Sequence, residues 1–206
     1  MLFALLERSW FFMEERFKKQ MDFLLEIDKV KSIFRQTYLA DKSRKENDAE
    51  HSWHACIMAV VLSEYFDKDV DLLKVIKMML MHDVVEIYAG DTYCYDAKGY
   101  EDKDERERKS AEKIYGMLPE DQKDEYIKLW REFEEGKSKE AVFCAILDRV
   151  QPTMLNDAAG CISWKEHGIK KEQVLKRNEV TFSGPENISE YMKDIIERAS
   201  EKGILK

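Results

Sequence analysis

Proline and glycine are scarce in this chain, three and eight among 206 residues. With long stretches of Leu, Met, Lys and Glu between them, that scarcity favours helices over strands throughout. Cysteine is sparse too: Cys56, Cys94, Cys144 and Cys161 stand far apart with no CxxC pair. Such spacing argues against a zinc knuckle or a disulfide framework, and it suits reduced, mostly structural thiols in the cytoplasm. Positive charge is in deficit, 34 basic against 42 acidic residues for a formal net charge of -8. A protein held to a nucleic acid polymer or to anionic lipid by bulk charge is thereby disfavoured, while a local basic pocket for a small phosphate stays open. No apolar run approaches the ~20 residues of a membrane span. The opening "MLFALLERSWFFMEERF" is apolar, but Glu7 and Arg8 cut it and no small-residue cleavage site follows.

What is present is enough for a core: 44% hydrophobic residues, 11% of the chain aromatic, in a length that suits one domain. The pattern reads as all-α. Residues 2–38 form one long or two consecutive amphipathic helices, and "LADKSRKEND" at 39–48 is a polar loop ending near an N-cap at Asp48. Beyond it Ile57, Met58, Val61, Leu62 and Tyr65 recur at helical spacing. "VDLLKVIKMMLMHD" is apolar on almost every side after Lys77, as in a central helix covered by its neighbours. A long polar connection with Gly90 and Gly99 as breakers runs into a charged helix near residue 103. Pro119 opens and Gly136 closes the next helix. "KEAVFCAILDRVQP", a short apolar piece around "LNDAAGCISW" and a last helix from about Ile188 to Ala199 complete the chain.

Two apolar segments carry charge where a core helix should not. "LMHDVVEI" holds His82, Asp83 and Glu86, and "AVFCAILDRV" holds Asp148. Ionised groups in an apolar interior need a partner, a proton or a metal. His51 and His54 lie on or beside the preceding helix, so imidazoles and carboxylates from separate helices can converge on one cation. Such a donor set suits a divalent transition metal (Mn, Fe, Co, Ni or Zn). A binuclear site would want more histidines than the chain supplies. Glu86, three residues after Asp83, projects to the same side of a continuing helix and can move a proton. Bland readings stand beside these. A histidine on an apolar face is more often a hydrogen-bonded core residue, and Asp83 can equally bridge to Arg149. His54 reads as structural, His167 as a helix-end or loop residue, and Glu86 equally as an exposed helix acid. The charged run 101–109 is most simply a solvated face with pairs such as Asp104 with Arg108.

Three blocks, "RKENDAEHSWH" (44–54), "LMHDVVEIYAGDT" (80–92) and "AILDRVQP" (145–152), resemble in order and separation the HD-domain metal-dependent phosphohydrolases. The "AEHS", the Glu after the HD pair and the "GDT" resemble its 5′-deoxynucleotidase branch, over roughly residues 28–165. The resemblance implies a single-domain HD-type helical bundle over residues 1–206 with the metal between central helices. Residues 1–27 would be a helical extension packed on it or at an oligomer interface. It implies His51, His82, Asp83 and Asp148 as ligands of one divalent transition metal. Glu86 and Asp91 would be the catalytic groups, with Arg35, Asp91 and Glu86 facing the substrate. Asp91 matches a position at the nucleotide pocket, and Arg35, in "IFRQTYL", an arginine that holds the phosphate. The best-known members carry a tryptophan directly after that arginine, where this chain has Gln36, a departure that bears on phosphate and sugar selection. The implied activity is removal of the 5′-phosphate from deoxynucleoside monophosphates by a homodimer. The alternatives are another phosphorylated substrate (a nucleoside triphosphate, a cyclic nucleotide, another phosphomonoester) or a non-catalytic regulatory module holding a metal. The loop from 88 to 103 has the length and polarity of a lid.

Overall fold

The helix boundaries follow from local chemistry. The computed structural model describes residues 2–67 and 69–205, with the side chains of residues 2–13 outside the described part. Helix α1 spans Leu2–Glu26 and passes into a 3-10 turn at Ile27–Ser32. The end of the expected N-terminal helical region is instead a strand, β1 (Phe34–Tyr38), paired antiparallel with β2 (Lys45–Asn47). The run "FRQTY" carries the aromatic and β-branched residues that suit a strand. Its register slips between Phe34 and Tyr38, an irregularity in the pairing. The residues at 39–48 therefore form a hairpin end and a strand rather than only a loop.

Helix α2 (Asp48–Leu62) is capped one residue earlier than the sequence suggests: Asn47 accepts from the Glu50 N–H while Glu50 reaches back to the Asn47 N–H. Helix α3 (Leu72–Met81) is capped by Asp71. Its apolar surface is only partly covered, since Val75, Met78 and Met79 are buried but Leu73 and Leu80 are exposed. After the 3-10 turn His82–Val85 come α4 (Glu86–Ala89), a loop, and α5 (Lys103–Tyr115). Helix α6 (Glu120–Glu135) starts after Pro119 and stops at Gly136, whose φ of +60° is the left-handed conformation glycine supplies at a helix end.

Helix α7 (Lys139–Ala158) is longer than expected, continuing through Pro152 into the first residues of the piece read as separate. Helices α8 (Ile162–His167), α9 (Lys171–Arg177), α10 (Glu179–Phe182) and α11 (Glu186–Glu201) follow. Its long buried stripe makes α7 the spine: Phe143, Cys144, Ile146, Leu147 and Val150 pack with Ala55 and Ala59 of α2, Val75 and Met79 of α3, and Met192 of α11. Phe66 stacks on Phe143 at 3.5 Å between ring centres. A second cluster joins α5, α6 and the turn after α3, and it includes Phe23 of α1. A third joins α8, α9 and α11. The protein is all-α with a small two-stranded sheet, and the core surrounds the helix that carries Asp148.

Candidate metal centre and its cavity

Where α3 gives way to a 3-10 turn, His82 and Asp83 leave the helix and turn toward α2 and α7. The tightened backbone frees carbonyls, and α5 satisfies them: Tyr115 Oη donates to Met81 O at 2.6 Å and Ser110 Oγ donates to Val85 O. The turn is thus anchored from behind. Both histidines present Nε2 to the same point. His82 Nδ1 donates to Met79 O at 2.8 Å, and His51 Nδ1 donates to Gln151 Oε1 at 2.8 Å. His51 Nε2 lies 3.0 Å from Asp148 Oδ1 and 3.7 Å from Asp83 Oδ2. His82 Nε2 lies 3.1 Å from Asp83 Oδ2 and 3.7 Å from Asp148 Oδ1. Donor atoms of His51, His82 and Asp83 fall within 4.8 Å of one another.

The donor set fits a divalent metal. His82 Nε2 is buried without a hydrogen-bond partner of good geometry, and both imidazoles are fixed by a bond at the other nitrogen, as metal-binding histidines are. Gln151 is itself held, its Nε2 donating to buried Glu46 at 2.6 Å. His54 reaches only the far side of that amide, at 3.2 Å, consistent with its structural reading. His167, at the end of α8, packs tilted against Tyr93 with ring centres 4.5 Å apart.

Positive charge for the acids comes from three sources. Arg35 Nη1 donates to Asp83 Oδ2 at 2.7 Å and to Asp48 Oδ1 at 3.1 Å. Arg149 donates to Asp148 Oδ2. The partner of Asp83 is therefore Arg35 and not Arg149, which pairs with the aspartate next to it. The third source is the proton on His82: burial works to remove it, but the charges of Asp83 and Asp148 prevail and lift its pKa to about 10. Against the same burial, His82 and Arg35 hold Asp83 below the usual carboxylate range.

Glu86 is buried, not an exposed helix acid. Glu86 Oε2 and Asp48 Oδ2 both lack a donor among the described residues, and a proton shared between the two carboxyls satisfies both. Accordingly, burial and then the charges of Asp83 and Asp48 push the Glu86 carboxyl well above its ordinary range. Asp48 rises to about 6, through burial and the charge of Asp83.

The cluster opens into a cavity of about 570 Å³ that Arg35, Glu86 and Asp91 also line. Burial raises the pKa of half-buried Asp91, with Arg35 acting against it. One stripe of α7 forms a wall: Asp148, Arg149, Pro152, Thr153 and Asn156. The opposite rim is the loop between α4 and α5. Arg106 knits it together, donating to Ala89 O at 2.6 Å, Thr92 Oγ1 at 3.1 Å, Gly99 O at 2.9 Å and Asp102 at 2.8 Å. The charged run at 101–109 is accordingly not one solvated face. Arg106 turns inward, Glu107 is buried against Lys103, and the i,i+4 pairs are 102 with 106, 103 with 107 and 105 with 109.

Glu46, Asp48, Gln151 and Arg106 escape a reading of the sequence as strings of motifs. For Gln151 a signal existed: it follows Asp148 by three residues, hence on the same face of the helix.

An all-helical protein whose three central helices converge a buried imidazole pair and two aspartates belongs by its architecture among candidate metalloproteins. The chain is a member of the HD-domain family, whose profile matches residues 27–188. It is 29% identical to the human (Homo sapiens) 5'-deoxynucleotidase HDDC2 over 64% of this chain and 63% of that protein, and so spans less than two thirds of the relative's length. The mouse (Mus musculus) counterpart is 30% identical over 63% of this chain and 64% of its own. Among solved structures, a predicted metal-dependent phosphohydrolase from Magnetospirillum magnetotacticum superposes with a TM-score of 0.89 at 44% identity, over 94% of this chain and 97% of the other. A conserved hypothetical protein from Pyrococcus furiosus shares the fold at 23% identity, with a TM-score of 0.61 over 88% of this chain and 99% of its own.

Proposed function

We propose that this protein is a mononuclear metal-dependent phosphohydrolase that removes the 5′-phosphate from deoxynucleoside monophosphates. The observation that carries the reading is the buried His51, His82, Asp83 and Asp148 cluster facing a cavity with a buried acid, Glu86, in its lining. The human and mouse relatives, named as deoxynucleotidases, support the choice of substrate. His51, His82, Asp83 and Asp148 would hold the cation through two imidazole nitrogens and two carboxylates. Bound there, a divalent ion supplies Lewis acidity toward a phosphoryl oxygen and acidifies water.

The other steps belong to the chain's own residues. Glu86 orients the attacking water and moves its proton, a role suited to a carboxyl whose pKa is raised by burial and like charge. Arg35 counters the negative charge of the acids and stabilises charge on the phosphoryl group at the cavity floor. Asp91, on the loop rim, selects or places the nucleotide. The loop, tied by Arg106, closes over it.

We further propose a cytoplasmic homodimer. Four free cysteines agree with a reducing compartment. No described helix is long and apolar enough to cross a membrane. Trp53, Ile57, Val60 and Val61 make an exposed apolar stripe along α2 that a second copy can cover, and Phe17, Met21, Leu24 and Leu25 expose apolar surface on α1. Phosphate release across a panel of deoxynucleoside and ribonucleoside mono- and triphosphates, a cyclic nucleotide and simple phosphomonoesters tests the substrate. Preference for the deoxynucleoside monophosphates supports the reading, and preference for triphosphates overturns it.

A further inference from the structure

Arg35 is already spent on carboxylates, with its guanidinium against Asp48 and Asp83 and its side chain only 15% exposed. Two other guanidiniums reach the same cavity, Arg149 from the α7 wall and Arg177 from the end of α9. Arg149 has one carboxylate, Asp148, whose second oxygen is turned to the two histidines. Among the described residues Arg177 makes neither a hydrogen bond nor an ion pair, although it is half-buried.

The corner that carries Arg177 is built firmly. Buried Asn178 donates through its side chain to Val174 O at 2.8 Å, and Thr181 Oγ1 donates to Asn178 O at 2.7 Å. Both guanidiniums line one cavity, where Asp148 is the leading charge that favours the ionised form of Arg177 and the charge of Arg177 disfavours that of Arg149. Two like charges lining one partly desolvated cavity, with a paired carboxylate for Arg149 and, among the described residues, none for Arg177, are costly unless an anion completes them. Guanidinium forks match the oxygens of a phosphoryl group, and their place beside Asp148 puts such a group next to the candidate metal ligands.

We infer that Arg149 and Arg177 form the grip for the phosphoryl group of the substrate, with Arg177 as its uncommitted arm. The inference rests on the phosphate-ester reading above; Arg149 stands inside the third family block but received no phosphate role there, and Arg177 lies outside all three blocks. Arg35 faces the same phosphoryl group from the side of the acids it neutralises.

The test is direct binding of inorganic phosphate to the full chain by calorimetry, with and without Mn²⁺, beside Arg177→Gln and Arg177→Lys. Arg177→Gln should weaken phosphate binding at least about tenfold, the scale of one charge-assisted hydrogen bond, and Arg177→Lys should recover part of it. Mn²⁺ affinity and deoxyadenosine binding should not move. Phosphate bound as tightly by Arg177→Gln as by the parent chain overturns the inference, as does a parent chain that binds no phosphate. Loss of deoxyadenosine binding with phosphate unaffected would assign the pair to the nucleoside side, and it also overturns it. A protein that binds phosphate through Arg177 yet hydrolyses no ester keeps the grip and loses the hydrolase. One that hydrolyses deoxynucleotides with phosphate binding indifferent to Arg177 does the reverse.

Discussion

At the scale of single residues, Glu86, Gln151 and His82 each carry a separate part of the site's chemistry. Burial and the charges of Asp83 and Asp48 raise the pKa of Glu86, and Glu86→Gln keeps the shape and removes the proton carrier. Turnover should fall by about 10²–10⁴, the usual worth of general acid–base catalysis, while metal content by elemental analysis stays at the parent value. Full activity in that variant would remove Glu86 from the chemistry. Gln151 fixes His51 from behind, and Gln151→Leu should weaken divalent-metal affinity by about 10–100-fold in a competition titration without unfolding the protein. His82 supplies a pH dependence. With its pKa lifted to about 10 the imidazole holds a proton through the neutral range, and a cation at Nε2 must displace it. Apparent metal affinity should therefore fall as pH falls, by about tenfold per unit from pH 8 to pH 6, with proton release visible in the buffer dependence of the binding enthalpy. An affinity flat in pH would mean that His82 is already neutral.

At the scale of elements, the fold separates structural load from the site. Phe143 lies on the buried side of α7, packed by Phe66, while Asp148 and Arg149 face the cavity. Phe143→Ala should cost about 3–5 kcal/mol of stability in thermal or denaturant unfolding, as large core truncations do. Arg106→Ala removes the four loop contacts from a half-buried position, so it should raise KM and speed hydrogen exchange over residues 90–102 with little change in Tm.

Much of this organisation was legible in the sequence. Strong punctuation placed α6 between Pro119 and Gly136, apolar periodicity marked α2, and an almost continuous apolar run marked α3. The acids within apolar runs marked the site, since a charge in a core pattern has few explanations. The hairpin was hidden because β1 pairs only with a three-residue strand, a non-local contact that leaves no period to read. Pro152 suggested an end to α7 where the packing of its long buried stripe carries the helix through. Arg106 and Glu107 were lost in a charge run, because which of several like residues turns inward depends on what the loop offers.

At the scale of the molecule, the charge balance and the cavity bound the ligand. A net charge of -8 repels polyanions, yet Arg35, Arg149 and Arg177 gather at one cavity, which suits a small anion over a nucleic acid strand. Exposed Trp53, Ile57 and Val61 make the α2 face the expected dimer contact, and Ile57→Glu with Val61→Glu should shift the protein to monomer in sedimentation analysis while leaving its helical circular dichroism unchanged. A parent chain that sediments as a monomer at every concentration would count against the contact. The central claim is that the buried histidines and aspartates hold a catalytic cation for a deoxynucleotide. It is tested most directly by phosphate release from dAMP and AMP, side by side, using metal-stripped protein resupplied in turn with Mn, Co, Ni, Zn and Mg. The account predicts no release from stripped protein, restored release from dAMP with at least one transition metal, and little from AMP. Folded protein that stays silent with every metal, or hydrolyses both nucleotides equally without one, would contradict it.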